Sequence, residues 1–160
     1  MPALVPRRAL TLAAAIAVSL TVAGNAQTAA LTRPETAILR VMNEVRAANG
    51  LRPLRLDVRL ERAARGHSRT MLRTQSFFHG DYITRIRRAG VRAPCIGENL
   101  AWGTGALSQA RAIVNGWLAS PPHRANLLRP GFRTVGVGAV RGTFEGYAGA
   151  LLVTTDFAGR

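Results

Sequence analysis

Over residues 132–157 the sequence switches to a strict period of two. "FRTVGVGAV" alternates Val135, Val137 and Ala139 with Thr134, Gly136 and Gly138, the pattern of a strand rather than a helix. "RGTFEG" then makes a turn, and "YAGALLVTTDF" sets Leu151, Val153, Thr155 and Phe157 on one side of a return strand. Everything periodic before this hairpin is helical. Helices first and a hairpin last predict an α+β fold, with helices packed around a small antiparallel sheet.

The helical part is well punctuated. In "LTRPETAILRVMNEVRAANG", Thr32 and Glu35 form a capping box, Pro34 sits in the first turn and Gly50 is the stop. Ile38, Val41, Met42 and Val45 make its apolar stripe. A second helix is predicted from about Asp57 to Arg73, with Leu60, Ala63, Ala64, His67 and Met71 on one face, so His67 points inward. "SFFHGDYITRIRRAG" reads as a loop entering a short helix capped by Asp81 and stopped by Gly90, and "VRAPCIGENLAWGTGA" as Gly- and Pro-punctuated and too irregular for a helix. A fourth helix is expected from about Ala106 to Ala119, facing inward through Leu107, Ala110, Val114, Trp117 and Leu118. Trp102 and Trp117 are both expected to be largely buried.

Ahead of these elements, residues 1–26 read as a secretory signal peptide. Arg7 and Arg8 precede an uncharged run from Ala9 to Ala23, and Gly24-x-Ala26 supplies the small residues of a cleavage site. The run is about 15 residues, short of the about 20 that span a bilayer. Residues 27–160 then form one domain, large enough for a core of its own. Cys95 is the only cysteine, so an exported chain of this kind has no internal disulfide and its core must hold the fold.

All 22 basic residues are arginine, against eight acidic ones. Without Arg7 and Arg8 the formal charge is still near +12. That excess favours anionic partners, an envelope polymer or lipid in an exported protein, with arginine that only solvates the surface of a lysine-free chain as the competing reading. Nucleic acid is not expected as a partner, being the anion least suited to an exported chain and supported by no aromatic stacking motif. A monomer is expected.

"WLASPPHRAN" carries the most pointed local feature. Pro122 disfavours the helical conformation at Pro121, and Pro121 does so at Ser120, so the fourth helix must end by about Ala119. A stiff corner then presents His123, which loses little entropy when it meets a ligand. Its candidate partners are His79, behind "FF", and Glu98, within "GENL". Two imidazoles and a carboxylate are the donor set of an open zinc site with water in the fourth position. Their separations, 19 residues from His79 to Glu98 and 25 from Glu98 to His123, match no local metal signature. By spacing alone, ordinary hydrogen-bonded loop residues remain the competing reading. His67 is read as a core histidine or as a residue orienting a ligand, not as a ligand itself.

Taken together and in order, "FFH", "GENLAWG", "W-x-x-S-P-P-H-R-x-N-L-L" and "VGVGAV" resemble the bacterial branch of the CAP superfamily. That superfamily includes sperm-coating protein-like and plant pathogenesis-related-1 proteins. The resemblance covers about Thr32 to Phe157 and implies an α-β-α sandwich with an open cleft, in a secreted protein. It implies that His79, Glu98 and His123 line the family's metal cavity, with Asn126 at a glutamine position. The second cavity glutamate of eukaryotic members falls on Ser120, so the implied set has three ligands and a weak affinity for a divalent cation, zinc above others. The family's paired cysteines are missing.

Two functions follow as expectations. The first is a secreted module of the extracellular space or cell envelope that binds a ligand without turning it over. The alternative is a metal-dependent hydrolase, protease-like, in which the ion activates water. The sequence holds no G-x-S-x-G elbow and no Ser-His-Asp or Cys-His pattern.

Overall fold

A computed structural model describes residues 30–160. The expected signal peptide, residues 1–26, lies outside the described residues. The chain runs through α1 (Arg33–Ala48), β1 (Arg55–Leu56), α2 (Val58–Thr74), α3 (Tyr82–Arg88), β2 (Cys95–Gly103), α4 (Ala110–Ala119), α5 (Pro121–Leu127), β3 (Phe132–Phe144) and β4 (Tyr147–Gly159). The strands form one sheet in the order β1-β3-β4-β2, antiparallel except where the two-residue β1 runs parallel to β3.

The capping residues act as their chemistry requires. Glu35 accepts from the Thr32 amide at 2.7 Å, and Asp57 and Asp81 accept from Arg59 N and Thr84 N at the starts of α2 and α3. Gly50 and Gly90 leave their helices with φ of 68° and 89°, a backbone region open to glycine.

Three layers result, the α-β-α sandwich that the motifs implied. On one face Val135, Val137, Leu151, Val153 and Phe157 meet Ile38, Val41 and Met42 of α1 and Ile113, Val114 and Trp117 of α4. On the other face the alternate residues of β4 meet α2 and α3, through Leu152 against Met71 and Ala158 against Leu60 and Ile86. The glycines of "VGVGAV" explain how closely α2 lies. A Cβ on Gly136 would stand 2.0 Å from the Leu60 carbonyl carbon, and one on Gly138 would stand 2.1 Å from Arg65 N. The valines fill one layer while the glycines admit the backbone of the other.

Four expectations need correction or completion. Residues 95–103, read from the sequence only as too irregular for a helix, form the strand β2. Its glycines and polar residues hide the alternation, but pairing with β4 from Cys95 to Gly103 satisfies the backbone. The fourth helix starts at Ala110, because Gly105–Ser108 makes a 3₁₀ turn and Gln109 is extended; Leu107 is consequently 69% exposed. Trp102 is also exposed, lying edge-on to Phe144 at the end of β2, whereas Trp117 is buried as expected. Finally, the two prolines do more than stop α4. They open α5, where their missing amides fall in the first turn and break no helical bond.

Arg46 is a buried charge that the sequence does not announce. Its guanidinium donates to the carbonyls of Arg52, Leu127, Arg129 and Phe132, tying α1 to the segment between α5 and β3.

Candidate functional site

The α2–α3 loop, β2 and α5 converge where His79, Glu98 and His123 meet. Glu98 lies on β2 with its side chain fully buried. His79 Nδ1 donates to Glu98 Oε1 at 2.7 Å, with half of the imidazole exposed. A proton on Nδ1 leaves the Nε2 lone pair of His79 free for a ligand. The His123 ring lies 6.4 Å from that of His79, centroid to centroid, at the first turn of α5. The structure thus brings all three predicted residues together.

Each is held in place from behind. His67 is buried on α2 and its Nε2 lies 2.7 Å from the Phe78 carbonyl, which can only accept, so the neutral ring donates there. That bond fixes the residue next to His79. Asn99 donates to the His123 carbonyl, and Asn126 donates to the Glu98 carbonyl and to Asn99 Oδ1. Asn126 therefore seats α5 on β2. A Cβ on Gly97 would meet Asn126 Oδ1 at 2.8 Å, so that position must stay small.

Arg85 and Asp156 also belong to the site, and sequence reasoning passed over both. Arg85 reaches in from α3, bonds Glu98 Oε2 and approaches Asp156 Oδ1 at 3.5 Å. Asp156 pairs with Glu98 across β2 and β4 and is fully buried. Its signal was available: an acidic residue within the apolar run "LLVTTDF" is out of place unless it faces a cation. Arg85 gave no such signal, being one of 22 arginines.

Burial sets the electrostatics. It lifts the Glu98 carboxyl to about 7 against the opposing pull of Arg85. Burial, with the neighbouring Glu98 adding to it, lifts Asp156 well above the ordinary carboxylate value. Burial, followed by the charge of Arg85, brings His67 down to about 4. His79 and His123 are both lowered, first by burial, then by Arg85 for His79 and by His79 for His123. Both exposed imidazoles are therefore neutral bases at physiological pH.

The donor types suit a borderline divalent ion, but Glu98 already serves His79 and Arg85. Among the described residues, no three His, Cys, Asp or Glu side chains are already arranged to close on an ion. Beside His123 the site opens into a groove of about 430 Å³ lined by Phe77, Trp102, Leu107, Trp117 and Ser120.

Comparison with known proteins bears on this arrangement. The family model for the cysteine-rich secretory protein family, CAP, matches residues 39–157. The uncharacterized protein YkwD of Bacillus subtilis is 32% identical over 111 residues, covering 66% of this chain and 42% of its own length. A crystal structure of an extracellular protein containing a SCP domain, from Bacillus anthracis, superposes with a TM-score of 0.67 at 30% identity, over 79% of this chain and 40% of that one. An outer surface protein of Borrelia burgdorferi shares the fold, with a TM-score of 0.66 at 21% identity, over 79% of this chain and 92% of that one. The chain spans less than half the length of the first two. With the family model matched from within α1 to within β4, over most of the chain, the chain belongs to the cysteine-rich secretory protein (CAP) family.

Proposed function

We propose that this is a secreted CAP-domain module of the cell envelope or extracellular space that binds an anionic ligand without chemically transforming it. One observation carries the choice of binding over turnover: both oxygens of Glu98 are engaged, one by His79 and one by Arg85. Held by both partners, that carboxylate is poorly placed to move a proton for a hydrolase, and a histidine would have to do so instead. Export is supported by the leader-like residues 1–26 and by similarity to the Bacillus anthracis and Borrelia proteins, which are extracellular and outer-surface proteins respectively.

The ligand class follows from charge. Six of the eight carboxylates are paired with arginine, so among the described residues most arginines have no acidic partner. Arg92, Arg133 and Arg160 line a groove of about 530 Å³ between the start of α2 and the end of β4, beside Arg59, which is paired with Asp57 in the same groove. An anionic wall polymer or an anionic lipid surface suits it. A divalent ion, zinc by donor chemistry, would be held weakly by His79, Glu98 and His123. Bound there, it would supply a Lewis-acid contact for an anionic group of the ligand.

Co-sedimentation of the mature protein with anionic wall polymer and with anionic and neutral vesicles tests the reading. Retention on the anionic materials alone, released by salt, is expected. Equal binding to neutral vesicles, or none to any anionic material, would overturn it.

A further inference from the structure

Glu98 on β2 and Asp156 on β4 are direct cross-strand partners, so both side chains leave the sheet on the face covered by α2 and α3. Both side chains have 0% exposure. The cation between them is Arg85, whose Nη2 bonds Glu98 Oε2 and stands 3.5 Å from Asp156 Oδ1. The match is incomplete. Neither Asp156 oxygen has a hydrogen-bond donor among the described residues, and Arg85 Nε has no acceptor. Arg85 enters from the surface with its side chain 20% exposed, and α3, which carries it, is seven residues long.

Two buried carboxyl groups facing one guanidinium form a site whose hydrogen-bonding geometry is only partly met. A divalent cation carries twice the charge in a smaller volume and accepts oxygen donors from several directions. The imidazole of His79 already touches Glu98, and the ring of His123 lies beyond it. Without the guanidinium, the side chains of Glu98 and Asp156 would face each other across the paired strands, with His79 on the outer side of Glu98.

We propose that Arg85 is the resident cation of this site, holding the edge of Glu98 that a divalent ion would take. Asp156 is the second carboxylate that such an ion would engage once Arg85 is gone. Arg85 thus sets the cation affinity of the pocket. The inference rests on the reading of His79, Glu98 and His123 as a weak cation site, and it assigns the weakness to a residue.

The experiment is calorimetric titration of the full mature chain with zinc, paired with thermal melting with and without zinc. The chains compared are wild type, Arg85→Ala, Arg85→Gln and Arg85→Gln with Asp156→Asn. Arg85→Gln retains an amide donor for Glu98 and decides the outcome if Arg85→Ala does not fold. Zinc should bind the single variants about tenfold tighter than wild type, because the competing charge is gone. It should also raise their melting temperatures more than that of wild type. Adding Asp156→Asn should return the affinity to the wild-type level. Arg85→Gln affinity equal to that of wild type would overturn the proposal, as would tightening that survives Asp156→Asn, or variants that fail to fold even with zinc. Polyanion binding is measured separately, so each of these outcomes leaves the binding-module reading standing.

Discussion

The Asn99 side-chain amide donates to the His123 carbonyl at 2.9 Å, fixing the first turn of α5 to the strand residue beside Glu98. Asn99 is fully buried and also accepts from Asn126. Asn99→Ala should remove about 1–3 kcal/mol of stability, since the His123 carbonyl and the Asn126 amide each lose a partner. The same change should weaken zinc binding by loosening His123. Urea titration and calorimetry check the two effects separately; a stable variant with unaltered zinc binding would leave Asn99 without a role in the site.

Zinc binding should depend on both exposed imidazoles. His79→Ala and His123→Ala should each weaken it strongly, and Ser120→Glu should strengthen it, because residue 120 lines the same groove as His123. Protons compete first at Glu98, whose carboxyl burial lifts to about 7, and at the two rings only below the ordinary histidine value. Affinity should therefore begin to fall near pH 7 and fall more steeply below about pH 6.5. Calorimetry across pH 5 to 8 measures the profile.

His67 should titrate near 4 by NMR rather than at the ordinary histidine value. Its folded state resists a proton that the unfolded chain accepts, so its contribution is complete above about pH 6.5 and is lost as pH falls toward 4. The stability gap between wild type and His67→Gln should shrink over that window by on the order of 3 kcal/mol. A gap that stays constant with pH would show the ring to be freely protonated in the fold.

Trp117 is buried and its indole nitrogen donates to the Leu100 carbonyl at 2.8 Å, fastening α4 to β2. Trp117→Ala should lower stability by about 3–5 kcal/mol. A loss below about 1 kcal/mol in denaturant titration would contradict this packing.

Intact mass of protein recovered from medium or envelope should show the first 26 residues, or thereabouts, removed. A species beginning at Met1 would contradict export by a cleaved leader.

Much of the fold was legible because its signals are local. The caps at Thr32, Asp57 and Asp81, the stripes of α1 and α2 and the alternation of β3 each lie within a few residues. The strand β2 was not, because its buried run Gly97–Leu100 mixes a glycine, a carboxylate and an amide whose partners lie on α3, α5 and β4. Leu107 misled for a related reason: its helical spacing is real, but Gly105 with φ 51° turns the chain before α4 begins. At the site, the triad of His79, Glu98 and His123 could be proposed from residue type and motif. Arg85 could not, since only the long-range pairing of β2 with β4 creates the paired carboxylates that it answers.

Gly136 and Gly138 make the position of the site a matter of backbone spacing. Leu60 and Arg65, against which these glycines lie, belong to the helix that carries His67, and His67 holds the carbonyl of Phe78 beside His79. A single methyl group added to β3 would therefore act as a shim, lifting α2 and carrying His79 with it away from Glu98. Attempts to rigidify the hairpin by replacing these glycines should perturb the binding pocket before they perturb the hairpin, which ties what the sheet tolerates to what the pocket can recognise.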